Sequence, residues 1–238
     1  MNTQQALKAV IFDFDGIIMD SEGLQKKSWE IALKPFLGKD FVFPDEVYMK
    51  YAGKRGDQIA HDIFDDYGSR LDGKITPHRL KKRKEEEVLE LFKVSCDLMP
   101  FAREAVEYFR SHGLPVALCG GAPRNEIEMR LRLIHMEDSF DVIVAGSDVR
   151  NGKPHPEMYD TAARKLALQP GKDIVAFEDT QYGKESAVGA GLTCIGIPNQ
   201  FSINQDFSEA RRCSDLREAV LWIISNYKLD KPWKPFDK

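Results

Sequence analysis

No stretch of this sequence approaches the ~20 consecutive apolar residues that a membrane-spanning helix requires, and the amino terminus carries no apolar run of secretory-leader length. Neither membrane insertion nor export is expected, and a cytoplasmic location is the default. Cysteine is scarce: Cys96, Cys119, Cys194 and Cys213 are widely spaced and form no CxxC pair. That argues against a zinc site or a disulfide framework and for reduced core thiols. An excess of positive charge is also missing. With 34 Lys and Arg against 38 Asp and Glu, the net charge is −4, so no global basic field attracts nucleic acid or anionic lipid. No internal repeat is evident, and the polar stretch 228–238 with its two prolines is assigned no function.

What the chain does have is apolar material in short, ordered blocks. Its 238 residues, 42% of them hydrophobic, suffice for one large domain or a core domain with an insert. Residues 9–14 form a continuous branched apolar run that ends in acids, as a strand buried on both faces would. Similar runs recur at 116–119, 142–145, 174–177 and 193–197, separated by segments of helical periodicity. This alternation predicts a parallel α/β sheet with the first run at its centre. A helix over 101–112 puts Ala105, Val106 and Phe109 on one face and stops at Gly113, and Pro156 opens another helix.

Residues 22–95 contain no comparable strand-like run. They read as an all-helical insert with turns at Pro44, Gly53, Gly68 and Gly73, so that 1–21 and 96–238 make the α/β core. Thr76-Pro77 supplies the N-cap and first turn of a long helix. Its basic run 81–84 is expected to be a solvated face, because Lys81, Lys82 and Arg83 each have a glutamate four residues on.

Chemistry concentrates at the strand ends. Asp13-Phe14-Asp15-Gly16 closes the first run, where residues two apart face the same side and where open α/β sheets bind ligands. Extending an apolar strand into two acids is costly without a compensating cation. Phe177-Glu178-Asp179-Thr180 repeats the arrangement on another run. Three or four converging carboxylates repel unless a hard cation joins them, which makes Asp13, Asp15, Glu178 and Asp179 candidate ligands and Mg²⁺ the implied cofactor. Gly152-Lys153-Pro154-His155-Pro156-Glu157 places Lys153 in a short loop before a helix, where a cation can balance the carboxylates and hold a phosphoryl oxygen. His155, alone between prolines, supplies neither a base partner nor a metal-ligand spacing.

The order DFDG, then an apolar strand, then GKPHPE, then FEDTxxG resembles the haloacid dehalogenase-like hydrolases, specifically the branch of sugar phosphatases and β-phosphoglucomutase, over about residues 8–198. The resemblance implies a Rossmann-like parallel sheet core with an inserted α-helical cap. By it, Asp13 is the nucleophile that forms an aspartyl-phosphate and Asp15 the acid/base, with Lys153 bridging Asp13 and the phosphoryl group. It also implies that Asp13, Asp179 and the Asp15 backbone carbonyl hold Mg²⁺ with Glu178 as ligand or supporting acid. An acid at position 15 favours phosphoryl transfer over dehalogenation.

One departure stands out. The family ends its second strand with Ser or Thr, where this chain has Gly120, so phosphate binding there falls to a backbone N–H, expected at Gly121. In the cap, Lys54 and Arg55 lie where the family's cap loop reaches substrate, and Gln25 replaces the histidine usual in β-phosphoglucomutases. The expectation is a Mg²⁺-dependent phosphatase of a small phosphorylated metabolite, with no nucleic acid, membrane or obligate protein partner. A phosphomutase and a catalytically weak phosphate-binding relative are the alternatives.

Overall fold

The structure is a computed structural model that describes residues 5–229. Most of the polar stretch 228–238, and residues 1–4 of the expected core, lie outside the described residues. The first strands are β1 (Gln5–Ala6) and β2 (Ala9–Asp13). Four helices follow: α1 (Glu22–Leu37), α2 (Asp45–Tyr48), α3 (Gly56–Leu71) and α4 (Pro77–Val94). Then come α5 (Ala102–Ser111), β3 (Val116–Gly120), α6 (Arg124–Leu133), β4 (Val142–Ala145), α7 (Glu157–Lys165) and β5 (Ile174–Glu178). The chain continues through α8 (Gln181–Gly189), β6 (Thr193–Gly196), β7 (Arg211–Arg212), α9 (Leu216–Asn226) and β8 (Tyr227–Lys228).

Six strands form one parallel sheet in the order β4-β3-β2-β5-β6-β7, which puts β2 between β3 and β5. β1 and β8 pair separately. Because side chains alternate along a strand, β2 sends Val10 and Phe12 to one face and Ala9 and Ile11 to the other. The first face packs with Val106 and Phe109 of α5 and Leu216 and Val220 of α9; the second packs with Met158 and Ala162 of α7 and Ala187 of α8. Both faces are thereby covered, which is why the strands read as continuous apolar runs. Phe12 and Phe177 stack across β2 and β5 with ring centroids 4.5 Å apart, a pairing worth about 0.5–1.5 kcal/mol beyond the area it buries.

The helices α1 to α4 form the inserted cap. They close around their own apolar cluster, which includes Trp29, Leu33, Tyr48, Ile63 and Leu80. The chain enters and leaves the cap side by side: Met19 bridges Leu98, and the Asp20 N–H donates to the Asp97 carbonyl at 2.9 Å. Phe201, from the loop after β6 in the core, also belongs to the cap cluster.

Two local expectations need correction. Gly68 does not make a turn but lies inside α3, whose apolar residues Ile59, Ala60, Ile63 and Leu71 hold the helix through it. The basic run of α4 is not uniformly solvated. Lys81 and Arg83 do pair with Glu85 and Glu87 at 2.7 and 3.7 Å. Lys84, however, falls in register with buried Leu80, Val88 and Phe92 and turns inward, donating to Gln25 of α1. Among the described residues, no helix is long and apolar enough to cross a membrane, and all four cysteines are free, three of them buried.

Candidate active site

Asp13 ends β2 and Glu178 ends β5, and the register Phe12↔Phe177 sets the two acids beside each other at the carboxyl edge of the sheet. Oxygens of Asp13, Glu178 and Asp179 all lie within 4.8 Å of one another, and all three residues are buried. Burial, then the neighbouring carboxylates, pushes the Asp13 and Asp179 carboxyls well above the usual range. Lys153 donates to Asp13 and, at 2.5 Å, to Glu178. Burial would lower the Lys153 ammonium, but the charges of Asp13 and Glu178 outweigh it and hold it protonated. Tyr159 adds a hydroxyl donor to Glu178 at 2.5 Å.

One ammonium among three buried carboxylates leaves negative charge uncompensated. A compact all-oxygen donor set of this kind fits a hard divalent cation that retains some water. Two motif glycines make the cluster possible. Gly16, at φ 79°, passes so close to Asp179 that a Cβ there would overlap its carboxylate, and a Cβ on Gly183 would overlap the carboxylate of Glu178.

The Asp15 side chain is placed differently. It is not one of the three clustered carboxylates; it accepts from Ser21 and from both terminal nitrogens of Arg130, the more distant at 3.4 Å. Arg130 is fully buried, its guanidinium 4.3 Å from the Phe14 ring centroid and 4.2 Å from that of Phe92, and it also pairs with Glu126 at 3.3 Å. Burial alone would raise the Asp15 carboxyl, yet Arg130 and Ser21 bring it below its ordinary value.

A cavity of about 480 Å³ separates these acids from the cap. Asp13, Asp15, Lys153, Asp179 and Gly121 line its floor, and Trp29, Tyr48, Lys54, Arg55 and Lys84 line its roof. Lys54 is paired with Asp62 at 2.6 Å and Arg55 with Asp57 at 3.1 Å. Gln25 lines the roof as well. Gly120 does not line the cavity. It is buried at the end of β3, where a Cβ would meet Ile127 Cδ1 at 2.8 Å and Phe14 Cβ at 3.2 Å. His155 is exposed and accepts from the Glu157 N–H at 3.2 Å, outside the acidic cluster.

Sequence reasoning missed Ser21, Glu22, Lys84, Arg130, Tyr159 and Asn199. Two of these left a readable trace. Arg130 sits among Ile127, Leu131 and Ile134, and Lys84 sits between Leu80 and Val88, so each is a cation at an apolar position of its helix. Glu22 faces the cavity next to Tyr48, and burial, reinforced by the charge of Asp15, lifts its carboxyl to about 7.

The sequence profile of the haloacid dehalogenase-like hydrolases matches residues 10–197. The chain belongs to this family. It is 33% identical over 208 residues to the phosphorylated carbohydrates phosphatase of Thermotoga maritima, covering 86% of this chain and 91% of the relative. It is 29% identical to hexitol phosphatase B of Escherichia coli K12, covering 83% of this chain and 86% of that protein. The crystal structure of CbbY from Rhodobacter sphaeroides with phosphate superposes with a TM-score of 0.77 over 89% of this chain and 96% of CbbY. At 23% identity it attests the shared fold.

Proposed function

We propose that this family member is a Mg²⁺-dependent phosphatase that hydrolyses monophosphates of sugars or sugar alcohols through an aspartyl-phosphate on Asp13. The observation that carries the reading is the Asp13–Lys153–Glu178 arrangement with Asp179 beside it, opening onto a cavity roofed by the insert 22–95. The names of the relatives from T. maritima and E. coli support the substrate class.

Asp13 and Asp179, with Glu178 close by and the Asp15 carbonyl as a further oxygen, would hold Mg²⁺. The bound ion would neutralise charge so that a phosphate dianion can approach an acidic site. Lys153 opposes the burial and the neighbouring carboxylates that disfavour ionised Asp13, and the bound cation would add to that, leaving Asp13 free to attack phosphorus while Lys153 gives the phosphoryl group a cationic contact. In the first step the bond from the Asp13 oxygen to phosphorus forms, the bond from phosphorus to the sugar oxygen breaks, and protonated Asp15 gives its proton to that oxygen. In the second, water attacks phosphorus, the Asp13–phosphorus bond breaks, and Asp15 takes the proton from water. Both transfers require Asp15 to relinquish part of its hold on Arg130, which favours the ionised form. Gly121 offers its backbone N–H to the phosphoryl oxygens. Lys54 and Arg55, each already balanced by an aspartate, contact sugar hydroxyls, which need donors and acceptors together.

A phosphate-release screen over sugar phosphates, sugar alcohol phosphates, nucleotides and glycolytic acids tests this reading. Activity is expected with Mg²⁺, none with chelator, and no phosphoenzyme or turnover in Asp13→Asn. Full turnover in chelator, or in Asp13→Asn, would refute it. Phosphate binding without turnover would identify the weak phosphate-binding relative, and return of the phosphoryl group to another sugar carbon would identify a mutase.

A further inference from the structure

The loop after β6 touches the acidic cluster at one end and the cap at the other. Asn199 Nδ2 donates to Asp179 Oδ2 at 2.8 Å. Its own side-chain oxygen accepts from the Phe201 N–H at 2.8 Å, and its backbone N–H donates to Ser202 Oγ at 3.0 Å, with Ser202 almost fully buried. The amide is therefore fixed at both polar atoms and presents one N–H to Asp179. Two residues on, Phe201 leaves the core and enters the cap cluster, its ring edge-on to Tyr48 with centroids 5.3 Å apart. Further along, Gln205 accepts from the Gln181 N–H at 2.8 Å and donates to the cap carbonyl of Ala52 at 3.1 Å. This clasp ties the cap to the first residue of α8, directly after Thr180.

We propose that Asn199 is a positioning residue for Asp179, and that the loop from Asn199 to Gln205 couples the orientation of this metal-binding carboxylate to the seating of the cap. The inference rests on the reading of Asp179 as a Mg²⁺ ligand. A carboxylate with one oxygen engaged by Asn199 presents its remaining lone pairs in a fixed direction. Partners of this kind outside the ligand set govern metal affinity as well as ligand orientation. Phe201 is the lever. Any displacement of the cap that moves Tyr48 and Ala52 pulls on the same turn that holds the Asn199 amide, so cap seating and metal affinity share a mechanical link.

The test is Mg²⁺ binding measured by titration calorimetry on the metal-stripped full chain, alongside thermal unfolding without metal. Asn199→Ala should weaken Mg²⁺ affinity by about 10- to 100-fold. Asn199→Ser keeps an acceptor for the Phe201 N–H but falls short of Asp179, so it should preserve the turn and show the same loss of affinity. Phe201→Ala should weaken Mg²⁺ several-fold although it touches none of the clustered carboxylates, and Phe201→Leu should recover most of that. A purely structural loop predicts lower unfolding temperatures with unchanged Mg²⁺ affinity, and that result would overturn the proposal. A parent chain that binds no Mg²⁺ would sink the metal reading and this inference together. A parent that binds while Asn199→Ser binds equally well would sink the inference alone.

Discussion

At the scale of single residues, position 120 illustrates how a missing hydroxyl can be locked out by its neighbours. By the family resemblance Gly120 is expected where Ser or Thr would stand, and Ile127 Cδ1 fills the space a side chain would need. Gly120→Ser alone is therefore expected to destabilise the fold by about 1–3 kcal/mol through overpacking. Ile127→Val removes Cδ1 itself and alone costs about 0.5–1.5 kcal/mol. Combined, the two should cost less than their sum, because the cavity left by one accommodates the Cβ of the other; denaturant unfolding of the four chains in a double-mutant cycle measures this. The double variant should also gain kcat/KM over Ile127→Val if the new hydroxyl reaches phosphate. Strict additivity would show that Ile127 is not what excludes a side chain at 120. The contrast with Asp13 is instructive for what a sequence reveals. A strand that runs into DFDG declares its acids by interrupting an apolar pattern, whereas the contact between Gly120 and Ile127 depends on the approach of α6 to β3. Arg130 and Lys84 fall between these cases: their helical positions mark them as inward-facing, but only the packed structure shows Asp15 and Gln25 as their partners.

At the scale of elements, the apolar runs located the central sheet to within one residue at each end, since a strand covered on both faces has no solvent side to blur its limits. The same logic failed for β1, β7 and β8, two-residue strands in which hydrogen bonding rather than apolar pattern defines the element. In the cap, Gly53 was legible as a turn while Gly68 was not distinguishable from one, because a glycine on a helix and a glycine in a turn look alike until tertiary packing chooses. Gly53 has φ 82°, and a Cβ there would lie 2.9 Å from Thr180, so the loop carrying Lys54 and Arg55 rests directly on the residue after Asp179. Gly53→Ala should strain this loop by about 1–2 kcal/mol from the left-handed backbone alone and lift it off the core. The expected kinetic signature is a fall of kcat/KM for a sugar phosphate by about 10-fold or more, as a displaced positioning loop implies. Hydrolysis of a small aryl phosphate should change much less. Parallel losses on both substrates would show that the loop acts on the core chemistry instead.

At the scale of the whole molecule, the cap and core sides of the cavity differ in charge. The core floor holds three clustered carboxylates and one lysine, an arrangement suited to a cation and a single phosphoryl group. Across the cavity, Lys54 and Arg55 each have an aspartate partner, so the roof near them has little net charge with which to hold a second phosphate. The Arg55–Asp57 pair is half-exposed on both sides, and exposed pairs of this kind contribute only about 0–1 kcal/mol, so Arg55 can exchange Asp57 for a substrate oxygen at small cost. Two outcomes follow from this balance. Arg55→Ala should lower kcat/KM for the best sugar monophosphate by about 1–3 kcal/mol if the contact is charge-assisted, yet barely alter an aryl phosphate that does not reach the cap. Asp57→Asn should act in the opposite sense on selectivity: it frees Arg55, gives the roof a net positive charge, and should raise kcat/KM for sugar bisphosphates relative to monophosphates. Steady-state kinetics of the parent and both variants on matched mono- and bisphosphates decides the matter. If Asp57→Asn leaves that ratio unchanged, charge pairing in the roof does not set substrate choice, and selection must come from the shape of the cavity between Trp29, Tyr48 and the core.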